Sequence, residues 1–408
     1  AMVGRPYDEE RDLAAVTRMW REVGWIDDSD GQAEALRRFL DRGTALLADV
    51  HGEAECMVHR TPGSIRYVDT DLPLCAISGV TTSHVGRRQG LASALLVEVL
   101  GEAVEEGAAV ASLGFFEQGF YDRFGFGTGT YEHRLTFDPA SLTVPVPRRP
   151  PVRLGRDDMP ELHALMTRRH RGHGSVVVDP PDWFDLEWAW TEKPFALGFR
   201  ESGGRLTHAL FGSMKDEHGP WEISVLAHEE PTQVLELLGL VRALGDQVNA
   251  VTIADEPPGV QLQDLIREPV RQRRVARLAG GSDALHQSIA EQQDRILDLA
   301  ACIGAVHLRT PPMAFGLRLR DPIADFGGWP GIGGERTVRL GEESMVADGI
   351  DEGLPVLDVS VGAFTRLWLG VRPATGLALT DDLSGPPALL DALDEAFRLP
   401  PPRAGWSY

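Results

Sequence analysis

The stretch SGVTTSHVGRRQGLASALLVEVL, residues 78–100, decides the fold of the N-terminal part of this chain. An apolar run gives way to a short polar loop with two arginines and a glycine, and a second apolar run follows. In the second run Leu91, Leu95 and Val99 recur at the spacing of one helix face. The stretch therefore predicts a buried strand, a connecting loop and a helix.

The loop has the spacing Arg-x-x-Gly-x-Ala, with Arg87, Gly90 and Ala92 at the fixed positions. The first amides of a helix have no partners within the helix and carry the positive end of its dipole. Glycine lets the backbone approach an anion closely, and arginine adds fixed positive charge. The loop has neither the Gly-Lys-Ser/Thr of a Walker motif nor the GxGxxG dinucleotide pattern. It predicts a pyrophosphate-binding loop of another kind.

Helical and strand-like segments alternate on both sides of this stretch. Two amphipathic patterns precede it, strand-like runs flank it, and the run AAVASLGFF follows the predicted helix. Helices and strands joined by short links are typical of a layered α/β (α+β) fold. We expect that fold class here.

Proline-rich segments indicate three domains, at residues 1–150, 151–290 and 291–408. The segment VPVPRRPPVRL, residues 144–154, holds four prolines, more than a helix or a central strand tolerates. The second boundary, placed near residue 290, lies between REPVRQRRVARLAGG (residues 267–281) and LRTPPMAFGLRL (residues 308–319). The element order of the middle segment repeats that of the first, which predicts a duplicated fold without a second Arg-Arg-x-Gly loop.

Composition narrows the class of protein. The 408 residues carry a formal net charge of −21, which disfavours binding to nucleic acid or to anionic lipid. No apolar run is long enough to span a membrane, and no signal core opens the chain. Three scattered cysteines form no CxxC pair and no zinc pattern. We expect a cytoplasmic protein without a metal.

The motifs GVTTSHVGRRQGL and EQGFYDRFGFG (residues 117–127) resemble those of the Eis (enhanced intracellular survival) family of GCN5-related N-acetyltransferases, or GNAT enzymes. The resemblance implies tandem GNAT domains followed by a sterol-carrier-like domain, in a homo-oligomer, a hexamer. It implies direct acetyl transfer from acetyl-CoA to a primary amine of a small cationic substrate: an aminoglycoside-like molecule, a polyamine or an arylalkylamine. The repeated order of helices and strands and the aromatic residue at the end of the chain extend the resemblance over the whole sequence.

The resemblance also assigns residues to the cofactor. The backbone of Val80, Thr81 and Thr82 would bind the pantetheine arm, and Phe116 and Glu117 would flank its thiol end. Many family members have a small polar residue where Phe116 stands. The pyrophosphate would be held by the loop and the start of the helix, at Arg87, Arg88, Gln89, Gly90, Leu91, Ala92 and Ser93.

Proton transfer is assigned to two tyrosines. Tyr121 lies in the second motif, and a phenol with an ordinary pKa of about 10 can protonate a leaving thiolate. The family resemblance makes it the general acid. The resemblance further implies that the α-carboxylate of Tyr408 enters the active site as the base. Prolines at 400–402, together with Trp406 and Tyr408, would stiffen and anchor the tail.

The sequence leaves open which amine accepts the acetyl group. Trp25, Asp27 and Asp28 lie between the first two helices, where such enzymes line the amine pocket, although a solvated acidic loop explains the aspartates equally well. Ser407 stands where family members often have a glutamate, which removes one anionic contact for a polycationic substrate and leaves the breadth of the substrate range open. Two alternatives stand beside the small-molecule enzyme: a lipid- or metabolite-binding protein with a vestigial acetyltransferase fold, and a protein-lysine acetyltransferase.

Overall fold

The structure is a computed structural model that describes residues 4–267 and 284–408. These residues form two compact units. The first unit comprises the described residues up to Thr130, together with His173–Pro180 and Glu291–Tyr408. The second comprises Tyr131–Gly172 and the described residues from Pro181 to Ala290. Most of the boundary segment at residues 267–281 lies outside the described residues.

The strands are, in chain order, β1 Arg5–Pro6, β2 Thr44–Val50, β3 Glu53–Tyr67, β4 Thr70–Thr82, β5 Val110–Gly114, β6 Gly127–Thr128, β7 Glu132–Phe137, β8 Val152–Leu154, β9 Val176–Val178, β10 Pro194–Arg200, β11 Leu206–Ser213, β12 Trp221–His228, β13 Val251–Ile253, β14 Leu285–Ile289, β15 Gln292–Ile296, β16 Met313–Arg320, β17 Gly334–Leu340, β18 Met345–Asp348, β19 Val356–Ser360 and β20 Leu383–Ser384.

The α-helices are α1 Glu9–Glu22, α2 Asp30–Asp41, α3 Leu91–Glu105, α4 Met159–Arg168, α5 Trp183–Trp190, α6 Gln233–Ala243, α7 Leu299–Gly304, α8 Val361–Trp368, α9 Ala374–Thr380 and α10 Pro387–Ala396. Within the described part of the chain, none of them is long and apolar enough to cross a membrane.

The first unit is built on a sheet of eight strands in the order β1-β2-β3-β4-β5-β15-β6, with β9 paired to β3. Strands β1 to β4 are antiparallel, and β4 and β5 are parallel with α3 between them in the chain. Leu95, Val99 and Leu100 of α3 pack with Ala111 and Leu113 of β5 in one apolar core. The predicted sequence of strand, loop, helix and strand is therefore present, as part of a mixed α/β fold.

Strand β15 comes from a distant part of the chain. It pairs antiparallel with β5 on one side and with β6 on the other. Its Arg295 side chain is fully buried and forms an ion pair with buried Asp321, which follows β16. Arg295 also lies 4.8 Å from the ring centroid of Trp329. The expected C-terminal domain thus contributes a strand to the N-terminal sheet.

A second sheet in the same unit has the order β18-β17-β16-β19-β20. Strand β16 is antiparallel to β17 and parallel to β19. This α+β segment is the part that the resemblance describes as sterol-carrier-like, and that description stays a prediction.

The second unit has a seven-stranded sheet in the order β14-β7-β13-β12-β11-β10-β8. As in the first sheet, two parallel strands, β12 and β13, are separated in the chain by a helix, α6. Strand β7 precedes the boundary predicted at residue 150 and yet pairs with β13 and β14 of this sheet. The second GNAT domain and the three domain limits therefore stay predictions.

Candidate active site

The site begins where β4 and β5 separate. The two strands pair from Leu74↔Val110 to Ile77↔Leu113, whereas β4 continues to Thr82. The register of β3 against β4 shifts at this point, from His59↔Gly79 to Arg60↔Ile77, so that Ser78 is an extra residue in β4. A β-bulge bends its strand and increases the local twist. The bulge turns the end of β4 away from β5 and opens a gap between these two strands, which we call the fork.

Three side chains hold the bulge in place. The Ser78 hydroxyl lies 2.8 Å from His59 Nδ1 and 2.8 Å from the Thr61 hydroxyl. The His59 ring is fully buried and lies 4.0 Å, centroid to centroid, from the ring of Phe39. Burial lowers the pKa of His59 to about 3, so the imidazole is neutral at physiological pH. The bulge is therefore fixed by neutral hydrogen bonds from β3.

The loop after β4 leads into α3 through two left-handed residues, Arg88 at φ 63° and Gly90 at φ 77°. The amide of Ala94 donates to the Gly90 carbonyl at 3.0 Å. The amides of residues 91–93 precede that bond and form the free N-terminal turn of the helix. This turn and the adjacent arginines offer an anion several donors together with positive charge.

Gly86 lets the loop lie directly against β3. A Cβ at this position would be 2.7 Å from the main-chain oxygen of Glu55, closer than real Cβ contacts allow. The same oxygen accepts the amide of Ser83 at 2.9 Å, and the amide of Gly86 donates to the Ser83 hydroxyl at 3.1 Å. The loop is thus anchored to the sheet, and its position is set by that contact.

A cavity of about 1050 Å³ joins the fork, the loop and the end of α1. Its lining includes most of the residues predicted to bind the cofactor, together with Tyr121 and Trp25. The predicted residues in it are Trp25, Val80, Thr81, Thr82, Arg87, Arg88, Gly90, Leu91, Ala92, Ser93, Phe116, Glu117 and Tyr121. The lining residues that the sequence analysis missed are Glu22, Val23, Gly86, Phe120 and Arg123.

Gln89, Asp27 and Asp28 are not part of this lining. The Gln89 side chain donates to the Val85 carbonyl at 2.7 Å and so braces the loop itself. Asp27 accepts the Ser29 amide at 2.8 Å just before α2, and Asp28 is fully exposed at 3.5 Å from Arg21. In this arrangement the two aspartates belong to the solvated turn between α1 and α2.

Tyr121 lies in a short 3₁₀ turn, Tyr121–Phe124, that follows β5. Its ring packs edge-on against Phe120 at 4.9 Å and against Phe126 at 6.2 Å, measured between centroids. Burial, followed by the negative charge of Glu117, raises the pKa of Tyr121 to about 12. The phenol therefore keeps its proton at neutral pH, as a general acid must.

Glu22, at the end of α1, is a carboxylate of the cavity that sequence reasoning missed. It accepts the His84 amide at 3.0 Å and a hydrogen bond from Arg18 at 3.1 Å. The His84 bond, ahead of the contact with Arg18, lowers the pKa of Glu22, so it is ionised at neutral pH. In sequence it looks like an ordinary charged residue at a helix end, and only the fold brings it to the loop.

Phe116 and Tyr408 lie at the margins of the site. The Phe116 side chain is 91% exposed at the edge of the cavity. Tyr408 does not line the cavity, but its main chain lies beside β5: a Cβ built on Gly114 would be 4.0 Å from the Tyr408 main-chain oxygen. Gly114 directly follows the last residue of β5 that pairs with β4, so Tyr408 is next to the fork.

Known proteins resemble this chain in sequence. Residues 5–129 match the family model described as the acetyltransferase (GNAT) domain. A Streptomyces avermitilis protein named as an uncharacterized N-acetyltransferase is 26% identical over 79% of this chain and 78% of its own length. Eis N-acetyltransferases of Mycobacterium tuberculosis and Mycobacterium bovis are 39% identical over 67 residues, which is 16% of this chain and 17% of theirs.

Solved structures share the fold over nearly the whole length. Eis1 from Mycobacterium abscessus matches with a TM-score of 0.78 at 19% identity, covering 99% of this chain and all of that one. A GCN5-related N-acetyltransferase from Kribbella flavida matches with a TM-score of 0.74 at 18% identity, covering 100% and 99% of the two chains.

The match over residues 5–129 makes this part of the chain a GNAT acetyltransferase domain, and with these relatives it identifies the protein as an N-acetyltransferase. Within that class the protein resembles the Eis enzymes: they match it in sequence over 16% of its length, and Eis1 shares its fold over nearly the whole chain.

Proposed function

We propose that this enzyme transfers the acetyl group of acetyl-CoA directly to a primary amine of a small cationic substrate. The observation that carries the proposal is the single cavity in which the helix N-terminus, the free end of β4 and the Tyr121 phenol meet. GNAT domains use acetyl-CoA as co-substrate, and the donors of this cavity suit it. A pyrophosphate needs clustered amides and positive charge, and a pantetheine amide needs a strand edge.

The binding residues follow from that fit. The amides of Leu91, Ala92 and Ser93, with the guanidinium of Arg88, would hold the pyrophosphate. Beyond Ile77 the edge of β4 no longer pairs with β5, so the backbone of residues 80–82 is available to the pantetheine arm. Acetyl-CoA supplies an activated acyl carbon; the chain's own groups orient it and manage the protons.

The proton assignments rest on position and charge. In the transfer, a bond forms between the amine nitrogen and the acetyl carbon, and the carbon–sulfur bond breaks. Tyr121 donates its proton to the leaving thiolate, a role that suits a phenol that is protonated at neutral pH. The ionised Glu22 adds negative charge to the cavity lining, which favours a cationic acceptor.

The remaining expectations rest on the resemblance. The α-carboxylate of a chain ending at Tyr408 stays the proposed base, and a few residues added after Tyr408 should lower kcat; unchanged kcat counts against it. The hexamer is tested by light scattering of the purified protein.

The three cysteines are buried free thiols, which is compatible with the proposed cytoplasmic location. Among the described residues, no cluster of His, Cys, Asp or Glu side chains could hold a metal ion.

The proposal is tested by acetyl-CoA turnover across a panel of polyamines, aminoglycosides, arylalkylamines and lysine peptides. Thiol release and the mass of the acetylated product are measured together, so that hydrolysis is not mistaken for transfer. We expect acetylation of at least one small amine and calorimetric binding of acetyl-CoA at micromolar concentration. Preference for peptides would move the assignment to a protein-lysine acetyltransferase. Failure to bind acetyl-CoA would favour the vestigial, metabolite-binding alternative.

A further inference from the structure

A polar cluster lies on the face of the first sheet opposite α3. Ala111 and Leu113 pack into the core beneath α3, so the residue between them, Ser112, points to the other face. In the register of β5 and β15, Asp294 is opposite Ser112, and Gln292 is opposite Gly114. Ser112, Gln292 and Asp294 therefore share one side of the sheet, next to the fork.

The phenol of Tyr408 completes this cluster. The Ser112 hydroxyl donates a short hydrogen bond to Asp294 Oδ1, and the Gln292 amide donates to the same oxygen at 3.2 Å. Gln292 Nε2 also lies 3.2 Å from the Tyr408 hydroxyl, which is a hydrogen-bond partner of Ser112 as well. These contacts form one connected network from the β15 carboxylate to the side chain of Tyr408.

The network explains why a carboxylate is tolerated there. Asp294 is only 7% exposed, and burial raises its pKa to about 6, against the opposing effect of Ser112 and then Gln292. A buried carboxylate needs donors, and a buried phenol needs a partner, because each costs free energy when left unpaired. Ser112 and Gln292 meet both needs, because each of them is hydrogen-bonded to Asp294 and to the Tyr408 hydroxyl.

A second anchor holds the chain just before Tyr408. The Arg403 amide donates to the His173 carbonyl at 3.0 Å, and the Val176 amide donates to the Ala404 carbonyl at 2.9 Å. The tail is therefore fixed along residues 173–176 and again at the cluster. The cluster holds the side chain of the last residue, Tyr408, beside the fork.

We propose that Asp294 is a positioning residue for acetyl transfer, holding the Tyr408 phenol through Ser112 and Gln292 and so fixing the Tyr408 main chain beside the fork. The inference deepens the proposed function and rests on it, because the position of Tyr408 matters to catalysis only if the fork holds the reacting groups. It assigns a reason for Tyr at position 408: the hydroxyl provides the link to the carboxylate.

Three variants of the full chain test the link. Asp294→Ala removes the acceptor, Asp294→Asn keeps an acceptor oxygen, and Tyr408→Phe removes only the hydroxyl. The control is Tyr7→Phe, which removes a buried hydroxyl that has no hydrogen-bond partner among the described residues. Hydrogen exchange of the peptide at residues 404–408 is measured beside that of residues 110–114. This readout requires no activity, so it is independent of the proposed function.

We expect tail exchange to rise about tenfold in Asp294→Ala and several-fold in Tyr408→Phe, with residues 110–114 unchanged, because local hydrogen bonds open independently of the sheet. The kcat should fall about tenfold in Asp294→Ala and recover in Asp294→Asn, with calorimetric acetyl-CoA affinity within twofold of wild type. An equal rise in hydrogen exchange in residues 404–408 and 110–114 would show that Asp294 only stabilises the sheet, and would overturn the proposal. Unchanged tail exchange would overturn it too. If tail exchange responds as expected and no amine is acetylated, the proposed function fails and the anchor stands.

Discussion

Gly86 sets the position of the loop before α3, which we propose binds the cofactor, and its replacement by alanine should weaken acetyl-CoA binding. A Cβ there would meet the Glu55 oxygen at 2.7 Å and Thr82 Cγ2 at 3.1 Å. Restoring an ordinary contact of about 3.4 Å moves the loop by roughly 0.7 Å away from β3. The free loop relaxes away from β3 in this way, so binding of acetyl-CoA has to restore the overpacked position, which costs about 1–3 kcal/mol. Because about 1.4 kcal/mol is a factor of ten in affinity, Kd should rise roughly tenfold or more.

The assay is calorimetric titration of acetyl-CoA into the wild type, Gly86→Ala and two comparison variants. Gly31→Ala is the matched control, since a Cβ at Gly31 meets nothing within 4 Å, and alanine favours its helix. Gly90 has open space but a φ of +77°, so Gly90→Asn should be tolerated better than Gly90→Ala. A Gly86→Ala enzyme that binds acetyl-CoA within twofold of the wild type would refute the reasoning.

Three further predictions concern the site and its support. Tyr121→Phe should lower kcat about a hundredfold or more with little change in acetyl-CoA Kd, because a general acid contributes roughly 10²–10⁴; near-normal kcat removes the assignment. Arg88→Ala should raise the acetyl-CoA KM about tenfold and flatten its dependence on ionic strength, since a charged hydrogen bond to phosphate is lost; steady-state kinetics at two salt concentrations measure both. The folded His59 has a pKa of about 3 against an ordinary 6.5, so only the unfolded chain is protonated between those values. Stability that is complete above pH 6.5 should therefore fall on acidification, by about 2 kcal/mol at pH 5 from this group alone. Urea denaturation at pH 7.5 and pH 5 should show a smaller acid loss in His59→Asn, and an unchanged loss contradicts the assignment.

The sequence correctly predicted the secondary structure around the candidate site. The strand, loop and helix over residues 78–100 are present, with α3 beginning at Leu91, directly after Gly90. Such elements depend on short-range signals: apolar periodicity, a glycine where φ must be positive, and unpaired amides at a helix start. Most residues assigned to the cofactor through the family motifs also line one cavity. That shared lining supports the assignment, and mutagenesis will test it.

The parts that sequence reasoning missed depend on where distant segments meet. Glu22 is a common kind of helix-end residue until the loop amide of His84 reaches it. For Asp27 and Asp28 the sequence left an amine pocket and a solvated loop equally open; the turn before α2 uses Asp27 for a local hydrogen bond and leaves Asp28 in solvent. An acidic pattern predicts charge, and the direction in which each side chain points is set by the packing of α1 and α2.

By itself, the sequence predicted the strand, loop and helix of the α/β layer, the loop proposed to bind an anion and, through the family motif, the candidate acid, because each of these signals lies within a short stretch of chain. Only the tertiary structure decided that β15 inserts between β5 and β6 and carries Asp294 to Ser112 and Tyr408. Strand pairing at such separations is fixed by the register and burial of the whole sheet. The local periodicity of the sequence encodes neither the register nor the burial of the whole sheet, and both are needed to bring the tail beside the fork.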